Sequence, residues 1–140
     1  MKYIYPETLY KKIYSEGFSI YGIYFKKIFT ETVKILNSFN EKKIILDFGC
    51  GEGFLKKIYF KKFNNHKIIN FDVIPEKTEI KDYNQIDYDI LFGSHVFCLF
   101  SEKELDEFIS KEIDKNPKLI FIIAIGKQNL FSKFLQRSEE

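Results

Sequence analysis

The amino-acid sequence predicts an α/β fold: a Rossmann-like, doubly wound and mostly parallel sheet of about five strands, with N-terminal helices. Short apolar runs alternate along the chain with segments of helical periodicity. A glycine-rich turn follows the first apolar run, and polar residues follow the later ones. The chain has 140 residues, 45% of them hydrophobic, so we expect one domain (1–140) with a helical N-terminal cap (1–40) and a core (41–127).

The first half of the chain is predicted to contain helices and one strand–helix–strand unit. Apolar residues recur at helical spacing over 7–39, and a break at Gly17 divides this segment into two helices. The unit that follows is a strand over 43–48, a helix over 53–63 and a strand over 67–71. Because both strands are continuously apolar, we expect them to be parallel and buried on both faces.

The second half contains two more clear strands. Fifteen residues separate Asp72 from the strand over 88–92, too few for a helix and a strand, and 78–81 is predicted as a short edge strand. The pattern Ser-x-x-Glu at 101–104 is a capping box, which predicts a helix over 102–115 that Asn116-Pro117 ends. The last predicted strand covers 119–125, and a terminal helix is expected within 128–136.

Composition excludes several classes of protein. The net charge is +2, the lysines are spread along the chain as pairs, and the single Arg is Arg137. These lysines indicate solvated helix faces rather than a nucleic-acid track, so a nucleic-acid partner is not expected. The N-terminus has no apolar signal region, there are two cysteines, and the longest apolar run has seven residues. We therefore expect a reduced, cytoplasmic protein without a membrane span.

The run Asp-Phe-Gly-Cys-Gly-Glu-Gly at 47–53 is the most specific motif of the chain. A dinucleotide fingerprint that starts at Gly49 requires a glycine at position 54, where the chain has Phe54, so NAD and FAD are disfavoured. The run fits Asp/Glu-x-Gly-x-Gly-x-Gly. It resembles the first motif of class I S-adenosylmethionine (SAM) dependent methyltransferases, and the resemblance extends over about 41–127.

The resemblance implies a SAM site built on the carboxyl ends of the strands. Asp72 is expected to hold the ribose hydroxyls, with a turn-capping Asp as the alternative, and Val73 and Ile74 are expected to pack on the adenine. Asp82 is expected near the adenine amino group or, equally, in a plain turn. From the first motif, the implied cofactor-binding residues are Asp47, Phe48, Gly49, Cys50, Gly51 and Gly53. Asp47 either contacts the methionine end of SAM or braces the glycine loop.

The segment 93–100, directly after the predicted strand over 88–92, resembles the fourth motif of the small-molecule and glycan enzymes of this family. Gly93 and Ser94 are expected to contact SAM, and His95 is the candidate general base, with packing beside the sulfonium as its alternative. Tyr21, within an aromatic stripe, is expected either to cover the cofactor or to join the core.

Two other residues are expected to have no part in the chemistry. We expect His66 to be solvated, and Cys98 to be a buried small residue rather than a nucleophile. The two histidines are far apart in the sequence, so no metal site is predicted.

The predicted function is direct transfer of a methyl group from SAM to a small molecule, a glycan or a lipid precursor. The alternative is a catalytically inactive SAM-binding subunit, or a truncated methyltransferase-like protein that needs a partner. We expect this chain to lack the antiparallel strand pair that ends the family's sheet, which would leave 119–125 as an apolar edge strand. A second copy, a partner subunit or the segment 130–135 is then expected to cover it.

Overall fold

The structure, a computed structural model, describes residues 20–124, and of residues 20–25 it describes the backbone alone. The predicted break at Gly17, the first N-terminal helix, Ile125 and the terminal helix lie outside the described residues. The elements are α1 (Ile20–Asn37), β1 (Ile44–Phe48), α2 (Phe54–Phe60), β2 (Lys67–Phe71), β3 (Ile90–Ser94), α3 (Glu102–Lys115) and β4 (Ile120–Ala124). Two 3-10 turns, Tyr83–Gln85 and Phe97–Leu99, complete them.

The four described strands form one sheet in the order β2-β1-β3-β4. All three pairings are parallel, which confirms the α/β class and the parallel sheet. After β1 the chain adds β2 on one side and then returns to place β3 on the other side. The strand order therefore reverses between β1 and β3, and in open α/β sheets such a reversal opens a crevice at the carboxyl ends of the strands.

Helices cover both faces of the sheet. On one face, Phe29, Val33 and Leu36 of α1 and Leu55 and Tyr59 of α2 pack with every second residue of the strands. The intervening strand residues, such as Leu46 and Leu91, pack with Phe108 of α3 on the other face. This alternation gives every central strand two buried faces, as the continuous apolar runs predicted.

The prediction of a strand over 78–81 is wrong. This segment is irregular, with bends at Glu79 and Lys81, and a single backbone bond, from Glu79 N–H to the carbonyl of Asn70 (3.0 Å), joins it to β2. The Glu79 carboxylate accepts the Asn70 N–H at 2.7 Å, so a side chain occupies the position that a strand would take. About five strands were predicted, and the described residues contain four.

The expectation that His66 is solvated is also wrong, since the residue is 2% exposed. Its Nδ1 accepts the backbone N–H of Lys43 (3.0 Å), and its Nε2 lies 2.6 Å from the carbonyl oxygen of Leu36. These two bonds correspond to a neutral ring protonated on Nε2. His66 thereby ties the end of α1 to the start of β1, a structural role.

Among residues 20–124 no helix is both long and apolar enough to cross a membrane.

Candidate functional site

The carboxyl ends of β1, β2 and β3 bring three predicted segments together at the point where the strand order reverses. The glycine loop 49–53 follows β1, Asp72 follows β2, and the segment 95–100 follows β3. A Cβ placed on Gly49 would lie 2.7 Å from Val96 Cγ2, so the loops after β1 and β3 are in direct contact. The structure thus groups the cofactor motif with the candidate base.

The glycine loop has a backbone conformation that side chains disfavour. Gly49, Gly51 and Gly53 have φ angles of 70°, 53° and 68°. L-residues avoid this left-handed region because Cβ approaches the following carbonyl oxygen. The N–H groups of Gly49 and Cys50 both donate to the carbonyl of Phe71, at 2.8 and 3.0 Å, and fasten the loop to the end of β2.

Asp72 is the acidic residue that is hydrogen-bonded to the glycine loop. The residue is 3% exposed; its Oδ2 accepts the N–H of Gly51 at 2.9 Å and its Oδ1 accepts the N–H of Ile74 at 3.0 Å. The carboxylate therefore engages a loop N–H that would otherwise be available to an anionic ligand. The bond to Ile74 is the turn cap that was the alternative to ribose binding, and the ribose role stays a prediction.

Asp47 is a buried acid whose carboxyl group makes no hydrogen bond to another described residue. It is 2% exposed, and burial first, then the charges of Asp72 and Glu79, raises its pKa to about 8. Asp47 is paired with Asn70 across β1 and β2, so both side chains point to the same face of the sheet. At neutral pH this side chain is a neutral carboxylic acid beneath the glycine loop.

Asn70 was missed by sequence reasoning. Its Oδ1 is buried without a hydrogen-bond partner, and a Cβ on Gly53 would lie 2.7 Å from its Nδ2. The available signal was a polar residue within the apolar strand Ile68-Ile69-Asn70-Phe71. The side-chain amide of Asn70 therefore lies between the end of β2 and the start of α2.

The side chains of Phe48 and Cys50 pack in the protein interior. At these two positions only the backbone is available to a ligand at the glycine loop. The buried Phe48 ring stacks on Phe97 with centroids 5.9 Å apart. The Cys50 thiol is buried, donates to the carbonyl of Lys77 at 3.4 Å, and has a pKa raised mainly by burial.

Two ion pairs brace the loop from outside. The Lys77 ammonium pairs with the Glu52 carboxylate, and Lys56 pairs with Glu79. Sequence reasoning missed these four residues because their partners lie more than twenty positions away along the chain.

The predicted adenine contacts occupy different environments. Val73 is 53% exposed beside Asp72, which leaves an apolar side chain open to a ligand, and Ile74 is half-buried. Asp82 Oδ1 accepts from the backbone N–H and the Nδ2 of Asn84, at 2.9 and 2.8 Å. Asp82 therefore caps a 3-10 turn, as its alternative interpretation supposed.

His95 has a strained backbone. Among the described residues, His95 is the non-glycine residue with a positive φ angle, 60°. Such a conformation persists where the surrounding structure enforces it. The His95 N–H donates to the carbonyl of Ala124 at 3.1 Å, and its Nδ1 lies 2.9 Å from Ser94 Oγ. Burial lowers the pKa of the imidazole, which is neutral at pH 7 and able to accept a proton.

Gly93 and Cys98 flank this pair. A Cβ on Gly93 would meet the Phe97 ring at 2.3 Å, so close packing requires this glycine. The expectation that Cys98 is buried is wrong, because it lies on the exposed side of the turn in which Phe97 faces the core. Its Sγ donates to the carbonyl of His95 at 2.8 Å.

The last predicted contact, Tyr21, lies in the first turn of α1, and its side chain is outside the described part of the chain. Within that part, no group of three His, Cys, Asp or Glu side chains could hold a metal ion.

A scan against models of protein families finds no match to this chain, and a search of curated proteins finds no significant match.

Proposed function

We propose that this protein binds SAM and transfers its methyl group directly to a small molecule, a glycan or a lipid precursor. The observation that carries the proposal is the three-glycine loop at the reversal of strand order, hydrogen-bonded through Gly51 to the carboxylate of Asp72. Such a loop allows a ligand to approach the backbone closely. An acid on the neighbouring strand is placed to accept hydroxyl hydrogen bonds through its remaining lone pairs.

The charge of the site favours SAM over a phosphate-bearing nucleotide. A phosphate bound at a glycine loop needs free N–H donors and positive surroundings. Here Asp72 already takes the Gly51 N–H, and the carboxylates of Asp72 and Glu79 lie close enough to the buried Asp47 to raise its pKa. A sulfonium and an ammonium group would be attracted to this site, whereas a phosphate would be repelled.

The chain's own residues supply alignment and one proton acceptor. When bound, SAM would supply a methyl group on a sulfonium. An acceptor would attack the methyl carbon in line with the departing thioether sulfur, so no covalent enzyme intermediate is required. The neutral imidazole of His95 can take the proton of an acceptor hydroxyl, and Ser94 Oγ at its Nδ1 orients the ring. Exposed Val73 offers an apolar surface to the adenine.

The second candidate is a SAM-binding subunit without activity of its own. Its support is that one of the chain's two histidines, His66, is committed to hydrogen bonds with Leu36 and Lys43, which leaves His95 as the candidate general base. Both candidates predict SAM binding and differ in turnover.

Calorimetry with SAM, S-adenosylhomocysteine, NADH and ATP tests the shared part of the proposal. We expect binding of the first two ligands only, and its loss in Asp72→Ala. Asp114→Ala, an exposed change on α3, is the matched control and should bind with less than a threefold change. Tight binding of NADH or ATP, or SAM affinity retained in Asp72→Ala, would refute the cofactor assignment.

His95→Gly separates the two candidates. Glycine accepts the φ of 60°, so this variant removes the imidazole without adding strain. The methyltransferase proposal expects it to bind SAM normally and to lose at least 100-fold in turnover, within the usual range for a general base. Equal turnover in wild type and His95→Gly would exclude His95 as the base.

The proposal also includes a cover for the outer edge of β4. β4 pairs with β3 alone in the described sheet, and all five of its residues are apolar. We propose that a second copy, a partner subunit or residues 130–135 cover this edge, and that the protein works in the cytoplasm.

A further inference from the structure

The two faces of the sheet carry opposite charge. Between Gly53 and Asp72 the chain has five lysines and no Asp or Glu, and this segment contains α2. Helix α3, on the opposite face, has six acidic residues and three lysines. The net charge of +2 therefore hides a strongly dipolar distribution.

One group of exposed residues defines the basic side of the sheet. We define the basic face as Lys42, Lys57, Phe60, Lys61 and Lys62, all of them exposed. Hydrogen bonds from Lys43 N–H to His66 Nδ1 and from Lys67 N–H to the Lys43 carbonyl bring the start of β1 beside the end of the segment that joins α2 to β2.

The lysines of this face are not neutralised within the described part of the chain. No described carboxylate lies within ion-pair distance of its four lysines, whereas nearby Lys56 pairs with Glu79 and Lys43 with Glu41. Lys57 Nζ instead lies 5.3 Å from the ring centroid of Phe54. Lys61 and Lys62 follow the end of α2 and complement its dipole, but this does not account for Lys57 or for an exposed aromatic ring.

Phe60 is an exposed apolar side chain within the basic face. It is 46% exposed, lies between Lys57 and Lys61 along the chain, and its ring contacts Tyr59 edge-on at 5.3 Å between centroids. On the same layer, Ile35 of α1 is 47% exposed. Exposed apolar side chains among lysines are typical of surfaces that insert shallowly into a lipid interface.

We propose that the basic face docks on an anionic membrane surface. Lysines contribute as point charges near acidic lipid headgroups, and Phe60 enters the headgroup boundary. A nucleic acid is the less suitable partner, because the face has no arginine forks and Ile35 cannot stack on bases. The candidate cofactor site lies at the opposite ends of the strands, so docking does not depend on the proposed function.

Vesicle flotation tests this proposal. The probes are vesicles of phosphatidylglycerol and phosphatidylcholine in equal parts, and of phosphatidylcholine alone, in 0.1 M salt. We expect binding to the anionic vesicles only, and its loss in 1 M salt, where the screening length falls to about 3 Å. Replacing Lys57, Lys61 and Lys62 together by Gln should weaken binding about 100-fold.

Two further variants make the test specific. Replacing Lys81, Lys103 and Lys111 by Gln changes the net charge equally on the other side of the sheet and should leave vesicle binding unchanged. Phe60→Ser should weaken it about tenfold. Circular dichroism first verifies that each variant is folded.

Three outcomes would overturn the proposal. These are no binding of the wild-type chain to anionic vesicles, equal losses in the two triple variants, or duplex RNA binding that is tighter than vesicle binding and insensitive to Phe60→Ser.

Discussion

At the scale of single residues, Asp47 is a buried carboxyl group whose ionisation the fold opposes. Its pKa rises from 3.8, the ordinary value for an aspartate in an unfolded chain, to about 8 in the fold. Between these values the folded state holds a proton that the unfolded state has released, so stability falls as pH rises from about 4 to 8. Each tenfold change in an acid dissociation constant corresponds to about 1.4 kcal/mol, so the loss of stability amounts to several kcal/mol.

We predict that Asp47→Asn, measured without ligand, melts at a higher temperature than wild type at pH 8. The melting temperatures of the two proteins should converge as the pH falls below about 4, where wild-type Asp47 becomes protonated in the unfolded state as well as in the fold. Asp114→Asn, an exposed change on α3, is the control and should run parallel to wild type. A constant difference between Asp47→Asn and wild type across this range would contradict the raised pKa.

Single residues were predictable where their role is local. The glycines of the loop show their spacing in the sequence, and all three have the left-handed φ that a tight loop needs. Asn70, Lys77 and Glu79 were not predictable, because each acquires its role from a residue on another element. The same holds for His66, which looked like a turn residue until α1 packed against it.

At the scale of elements, Ser101 sets the start of α3. Its Oγ accepts the N–H of Glu104 at 3.2 Å, and the Glu104 carboxylate accepts the N–H of Ser101 at 2.8 Å. We predict that Ser101→Ala lowers the free energy of unfolding by about 1 kcal/mol, measured by urea denaturation. Ser110→Ala, an exposed change in the middle of the helix, should have no cost, and an equal loss in both variants would refute the cap.

Elements with local signals were predicted well. Helix α3 and strand β2 have the predicted bounds, since a capping box, Asn116-Pro117 and Asp72 mark their ends. Helix α2 ends at Phe60, three residues before the predicted end, because the N–H groups of Lys62 and Phe63 both turn back to the carbonyl of Tyr59. The strand over 78–81 failed because a carboxylate, which no β-propensity anticipates, pairs with the edge of β2.

At the scale of the whole molecule, periodicity and strand spacing predicted the class of fold and the meeting of the predicted segments at the carboxyl ends of the strands. The charge separation between the faces was not predicted. Lysines within the described residues, such as Lys57, Lys61 and Lys62, come to lie on the side opposite to the acidic α3 only when α2 and α3 pack on opposite faces of the sheet.

The outer edge of β4 gives the last prediction. The Ile120 N–H donates to the Asp89 carbonyl and the Ala124 carbonyl accepts the His95 N–H, so even-numbered residues of β4 face β3. In a parallel ladder the N–H groups of Phe121 and Ile123 must then point outwards. If the edge is covered, hydrogen exchange should find these two amides as protected as that of Ile122.

The dependence on protein concentration identifies what covers the edge. Cover by a second copy predicts that protection of Phe121 and Ile123 rises with concentration, together with the mass from light scattering. Cover by residues 130–135 predicts protection that is independent of concentration, in a monomer. A monomer in which both amides exchange rapidly while that of Ile122 is protected would show an open edge, and the proposed cover would be wrong.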